Sequence, residues 1–308
     1  MTPKTPIQVI NDWPGSVDRG ERKVPTKLVY NADGTLSSWG FMCADDDEPA
    51  SGKIQREFFK IFIDKETLDA AQQQGLSRVP RDTAEARVFL TDYLRQVYAH
   101  IKESIELQLG RRSGWADLAV KFLFSVPTTW TSMSLINIFK GVVRDAGFGI
   151  EGRLHEAFVD LTEAEAASIA TLKTSAISFN PGDLFLVVDA GGGTTDLALM
   201  KVTSTDPRAP RMSQAAAVRG IGIGSSLIDR AFVRLVKQRL LQHPDAQDKL
   251  PSDLATVMAS GHHFKTIKHK FGEKVWMQDT FKMPMQGVSF DFNHKGLRVE
   301  NGRMLFDK

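Results

Sequence analysis

The period of the apolar positions changes several times along this chain. Ile7–Ile10 alternates and runs into Asn11–Gly15, the pattern of a strand closed by a turn. Lys27–Tyr30 and Thr35–Met42 read as strands on either side of a turn at Asn31–Gly34. Between Thr83 and Leu109 the period becomes helical. Leu90, Leu94, Val97, Ile101 and Ile105 recur at spacings of 4, 3, 4 and 4, and Gly110–Gly114 ends the run. Val120–Val126 is an apolar strand that stops at Pro127. Thr128 or Thr129 is the expected cap of a following helix with Leu135, Ile136, Phe139 and Val143 on its buried face, and Gly147 and Gly149 terminate it. A further helix is predicted from Glu163 to about Leu172.

In the centre, Leu184–Val188 is wholly apolar, as for a strand buried on both faces. Asp189-Ala-Gly-Gly-Gly-Thr-Thr-Asp196 interrupts it, and Leu197–Val202 resumes as a strand. Asp206–Pro210 is a loop and Gln214–Val218 one more strand. Gly220–Gly224 then opens a helix at Ser225 and Ser226, with Ile228, Phe232, Leu235 and Val236 facing inward. A mostly polar helix follows over Ser252–Phe271, and the tail after Val275 is β-rich. Strands interleaved with long helices define an α/β class.

Composition narrows the function classes. The 308 residues suit about two domains, with no disulfide or metal needed to hold a core. With 39 Lys and Arg against 37 Asp and Glu, the net charge of +2 gives no global argument for nucleic acid or membrane partners. Cys43 is the single cysteine, which excludes an intramolecular disulfide and a multi-cysteine zinc site. No apolar run approaches the ~20 residues of a membrane span, and Met1–Ile7 has no signal-peptide core. A soluble, cytoplasmic protein is the expectation. The acidic run Asp45–Glu48 lacks the alternation and glycine of a calcium loop and reads as a solvated surface.

The chemistry concentrates at Asp189–Asp196. Three consecutive glycines expose backbone N–H groups with no side chain in the way, a geometry suited to an anion. Thr194 and Thr195 add hydroxyls, and Asp189 and Asp196 flank the turn as carboxylates that act on phosphates through Mg²⁺ or orient a water. The string has no Gly-Lys-Ser/Thr, and Gly220–Gly224 lacks the spacing of a dinucleotide fingerprint. A tight hairpin with solubilising carboxylates is the plainer reading of the same residues. His262, His263 and His269 read as solvated helix histidines rather than a metal set.

The whole string resembles the second phosphate motif of the actin-like ATPase superfamily, and within it the ATPase domain of the 70-kDa heat-shock chaperones. Val126-Pro-Thr-Thr-Trp130, a helix and Ala146-Gly-Phe148 resemble that family's strand, Val-Pro and helix. Glu163–Ala170 resembles its first connecting helix, and Gly220–Asp229 the segment after the phosphate turn. The resemblance implies a two-lobe, ribonuclease-H-like α/β fold with Mg-ATP or Mg-ADP between the lobes. Lobe I would span 1–178, with an inserted subdomain at about 26–115, and lobe II 179–308.

It also implies roles. Asp189 would hold Mg²⁺ through water and position the attacking water, with Asp196 and Glu163 in the same polar cluster. Gly191, Gly192, Gly193 and Thr194 would hold phosphate oxygens, with Thr195 beside them, and Gly224 would approach phosphate at its helix start. Lys60 falls where the family has a lysine on the terminal phosphate, although a solvated lysine reads equally well. Lys268 matches a lysine that contacts the nucleoside, but Lys265, His269 and Gly272 depart from the pattern around it.

The family's first phosphate hairpin and final adenosine motif have no counterpart in the sequence, so the expectation is a domain shortened at both ends. Hydrolysis would then be weak or lost, and exposed sheet edges would favour self-association. Co-chaperones are the partners the resemblance implies. A non-catalytic interaction protein and a sugar kinase of the same superfamily are the alternatives.

Overall fold

A computed structural model describes residues 8–16, 21–43, 52–73, 79–110, 114–174, 176–206, 210–221, 223–247, 249–274 and 279–307. Ile7, the acidic run 45–48, most of the helix-ending segment 110–114, loop positions 207–209, Gly222 and Val275 lie outside the described residues. The chain is α/β and divides into two compact units. Unit 1 comprises 1–187 and 198–218, and unit 2 comprises 188–197 and 219–308.

Unit 1 opens with an antiparallel sheet of β1 (Lys27–Tyr30), β2 (Leu36–Trp39) and β3 (Ile54–Glu57) in the order β2-β1-β3. Leu28 lies opposite both Trp39 and Arg56. The turn at 31–34 forms as its residues predict: Gly34 takes φ +83°, and Asp33 accepts from the Thr35 N–H at 2.9 Å. Residues 8–12 are not a strand, so the alternation at the start of the chain is not used for pairing there.

Two helices follow, α1 (Lys65–Gln73) and α2 (Thr83–Gln108). Asp82 caps α2 by accepting the Glu85 N–H at 2.8 Å, and the Glu85 carboxylate accepts the Arg81 N–H. The predicted stripe of α2 faces the core: Leu90 is buried, and Leu94, Val97, Ile101 and Ile105 pack against it. Tyr30, Trp39, Phe59, Phe89 and Tyr93 form an aromatic cluster between α2 and the sheet.

Next come β4 (Val120–Val126), α3 (Met133–Asp145) and β5 (His155–Thr162), a parallel β-α-β unit in which Val120 lies opposite His155. Leu135, Phe139 and Val143 are buried as expected. Gly147 and Gly149, at φ +109° and +75°, end α3 in the conformation glycine permits. The cap differs from expectation, because Ser132 precedes α3 and makes no side-chain bond. Then α4 (Glu163–Thr174) leaves directly from β5.

The central sheet has β6 (Leu184–Ala190), β7 (Thr195–Ser204) and β8 (Arg211–Gln214) in that order, with β9 (Arg219–Ile221) also pairing β7. Phe185, Val187, Ala198 and Met200 pack with Ala164 of α4 on one face. The other face of β6 is open: Leu184, Leu186 and Val188 are 58%, 56% and 58% exposed, so the apolar run is not buried on both sides.

Unit 2 contains α5 (Ser226–Leu241), α6 (Pro244–Gln247), α7 (Leu254–Ser260), α8 (His262–Lys270) and an antiparallel sheet of β10 (Thr280–Pro284), β11 (Val299–Glu300) and β12 (Arg303–Asp307) in the order β10-β12-β11. Its core gathers Val236, Leu254, Met258, Leu297 and Met304. Val236 faces inward as predicted and Phe232 packs partly against the core, whereas Ile228 and Leu235 are exposed. The single helix predicted over Ser252–Phe271 is two helices, broken at Gly261, whose backbone is extended.

Candidate phosphate site

Asp189 and Ala190 end β6, Thr195 begins β7, and Gly191–Thr194 form the turn between them. The Gly191 N–H donates across it to the Thr194 carbonyl at 2.9 Å. The start of α5 docks on this turn. Ser225 N–H donates to the Gly191 carbonyl at 3.0 Å, and Ser226 N–H to the Gly192 carbonyl at 2.9 Å. Because C=O and N–H of a trans peptide point in opposite directions, carbonyls held toward α5 turn the N–H groups of Gly192 and Gly193 away from it. Among the described residues no hydrogen bond uses either of these two N–H groups.

The glycines separate into two kinds. Gly224 is demanded by packing, since a Cβ there would stand 2.4 Å from the Gly192 carbonyl oxygen. At Gly192 and Gly193 a Cβ would meet nothing within 4 Å, and neither residue has a positive φ. The fold therefore does not require glycine at these two positions. Gly224 meets the turn itself, which gives it a packing role. The amides of Ser225 and Ser226 are likewise committed to the turn.

The side chains also divide. Thr194 donates its hydroxyl to Asp196 Oδ2 at 3.2 Å, and Asp196 is buried. Thr195 donates to the Ile223 carbonyl at 2.7 Å, which ties β7 to the segment before α5 and occupies the proton expected to reach a phosphate. Asp189 is exposed and its carboxylate makes no hydrogen bond or ion pair among the described residues. A free carboxylate beside two outward amides suits a Mg²⁺ ion held through water, so the residues present fit the expected metal. Lys268 on α8 is not free: its ammonium sits 2.7 Å from Asp229 of α5 and its side chain is largely buried. Phe232 stacks on Phe264 at 4.3 Å and holds the same two helices together.

In unit 1, Lys60 and Glu163 meet, although 103 positions separate them. Lys60 Nζ donates to Glu163 Oε1 at 2.8 Å and lies 6.0 Å from the Trp130 ring. Phe59, Phe62 and Ile63 bury the turn that carries Lys60, so the lysine is anchored by its neighbours. Glu163 is the first residue of α4, where a carboxylate is favoured by the helix dipole. The α4 start is polar throughout. Thr128 Oγ1 accepts from Ala164 N–H at 3.3 Å, and Thr162 donates both N–H and hydroxyl to Glu165 at 2.9 Å. Thr128, expected as a cap of α3, serves α4 instead. Sequence reading missed Thr128, Thr162, Ser225 and Ser226 in these roles. The spacing Thr162–Glu165 is a capping pair and was the available signal.

No protein-family model matches the chain, and no curated protein matches it. Among solved structures it is similar to MreB5 of Spiroplasma citri bound to ADP, with a TM-score of 0.42 and 16% identity. The match covers 70% of this chain and 49% of the MreB5 chain, so it spans about half of that protein.

Proposed function

We propose that the turn Asp189–Asp196 is the phosphate cradle of an ATP-binding domain of actin-like, heat-shock-chaperone type. The observation that carries this reading is the pair of amides at Gly192 and Gly193, turned away from α5 by its docking and used by no hydrogen bond among the described residues. The two N–H groups supply donors for phosphate oxygens, the Thr194 hydroxyl is held by Asp196, and Asp189 supplies the carboxylate for hydrated Mg²⁺. The ion, when bound, neutralises phosphate charge; the chain's own residues orient the phosphates and keep them off the Asp196 carboxylate. The Lys60–Glu163 pair of unit 1 is proposed to be functional on the strength of the motif and of its own contact. Lys268, tied to Asp229, is proposed to support α8 rather than to lie free for a nucleoside.

Calorimetric titration of the full chain with Mg-ATP and Mg-ADP tests the reading. Micromolar binding is expected. Asp189→Asn should weaken it by about 10-fold or more, the scale of one interaction with a charged group. A folded, monodisperse sample that binds neither nucleotide removes the proposal. Turnover in the same preparation decides between a binding module and an ATPase. A second reading, an interaction protein that keeps the fold, is favoured by the open face of Leu184, Leu186 and Val188. It predicts self-association that falls when Leu186 is replaced by Lys, with nucleotide having no effect.

A further inference from the structure

Unit 2 holds a second set of ligating side chains that the nucleotide reading does not use. His243 follows α5, Asp245 lies on α6, and His294 sits in the connection between β10 and β11. One ligand atom from each lies within 4.8 Å of the other two. His294 Nε2 is 3.0 Å from Asp245 Oδ2, and the two imidazoles meet edge to face with centroids 5.3 Å apart.

Both histidines are placed by backbone structure. His243 N–H donates to the Leu240 carbonyl at the end of α5, and its own carbonyl accepts from Ala246 N–H. Its ring lies against Gly296, where a Cβ would come 2.4 Å from Cε1, so only glycine leaves room for it. His294 exchanges both backbone hydrogen bonds with Val299, each at 3.0 Å. Its Nδ1 accepts from Leu297 N–H at 3.0 Å, which leaves the Nε2–H directed at Asp245. The histidines are half-buried and Asp245 is exposed, so the cluster is open on one side to water.

We propose that His243, Asp245 and His294 bind a borderline divalent transition-metal ion, Zn²⁺ foremost, with water completing the shell. Two imidazoles and one carboxylate are the donor set of open zinc sites, and hard ions such as Mg²⁺ take more oxygen ligands than this cluster offers. Bonds of about 2.0–2.2 Å require the three ligand atoms to draw together, and exposed Asp245 is the residue free to move. Loading moves His294 to its other tautomer: Nε2 yields its proton to solvent and coordinates, Nδ1 takes one up, and Leu297 N–H loses its imidazole acceptor. The ion then ties the end of α5 to the β10–β11 connection, two segments 49 positions apart between Asp245 and His294. This is independent of the phosphate cradle and of Mg²⁺.

The test is titration of the tag-free full chain with Zn²⁺, and with Co²⁺ followed by visible absorbance. One equivalent is expected to bind, with the Leu297 amide resonance shifted and the melting temperature raised. Asp245→Asn and His243→Gln should each weaken binding at least ten-fold. Asp245→Asn alters an exposed side chain, so its circular dichroism should match the parent. His262→Gln with His263→Gln should leave binding unchanged. Absence of saturable binding by the folded chain overturns the site, as does equal binding of Mg²⁺ or binding that survives Asp245→Asn and His243→Gln. Nucleotide binding is read separately and is expected to be unaffected by either variant.

Discussion

At the scale of single residues, the two kinds of glycine give the sharpest contrast. Gly224→Ala forces a methyl into the Gly192 backbone, and should cost about 1–3 kcal/mol, as overpacking does. Gly193→Ala points its methyl into clear space, so its melting temperature should stay within a degree or two of the parent while nucleotide affinity falls. Thermal melts beside titrations of the two variants check this, and equal destabilisation by both would refute the division. Tyrosine offers a second test. The chain has three, all in unit 1. Burial, and then its hydrogen bond to Asp92, pushes the Tyr30 hydroxyl well above its ordinary range. Burial pushes Tyr93 up to about 12. Burial and then the bond donated to Glu151 push Tyr98 up to about 12. A phenol whose native pKa lies above its unfolded value stabilises the fold below the unfolded pKa. That contribution is lost as pH rises from the ordinary 10.0 toward about 12. Native protein at pH 10 should therefore show almost no tyrosinate absorbance, and the signal should appear together with unfolding. Tyrosinate in a still-folded chain at that pH would contradict the burial.

At the scale of elements, α4 shows what a sequence does and does not disclose. Its start at Glu163 and the elements β4 and α3 before it were legible, because glycines and a proline punctuate apolar runs of plain period, whereas β5, between α3 and α4, was not read. The pairing of Lys60 with Glu163 was not readable from spacing, since it joins a buried turn to a helix start far along the chain, and the family resemblance gave the two residues separate roles. Thr128 was assigned to the wrong helix for a related reason. Capping is read locally, yet its hydroxyl serves an amide 36 positions away. The apolar face of β6 was read as buried because composition does not reveal which face of a strand has a partner. Lys60 and Glu163 keep side-chain exposures of 36% and 30%, so solvent screens the pair. A double-mutant cycle of Lys60→Met and Glu163→Gln in urea should give a coupling of no more than about 1 kcal/mol. A coupling several times larger would mean that the pair is a structural strut.

At the scale of the whole molecule, each unit owns a core. The core of unit 1 centres on Leu28, Phe59 and Val143, and that of unit 2 on Val236, Leu254 and Met304. Separate cores predict that heat unfolding departs from a single two-state step. Differential scanning calorimetry should resolve two transitions. Leu28→Ala should lower one and Val236→Ala the other, each by the ~2–5 kcal/mol typical of an emptied core position. One transition that shifts with both variants would show a single cooperative block. No helix among the described residues is long and apolar enough to cross a membrane.

The order in which the chain is made gives the docked turn one more consequence. Residues 188–197 belong to unit 2, yet the chain returns to unit 1 for 198–218 before unit 2 resumes at 219. During synthesis the glycine turn thus leaves the ribosome ahead of Ser225 and Ser226, the residues that grip its carbonyls. Until they emerge, nothing holds the Gly192 and Gly193 amides outward. A nascent chain arrested short of Ser225 carries the whole motif but not the docked turn, so the shape of the turn has to wait for translation to pass Ser225 and Ser226.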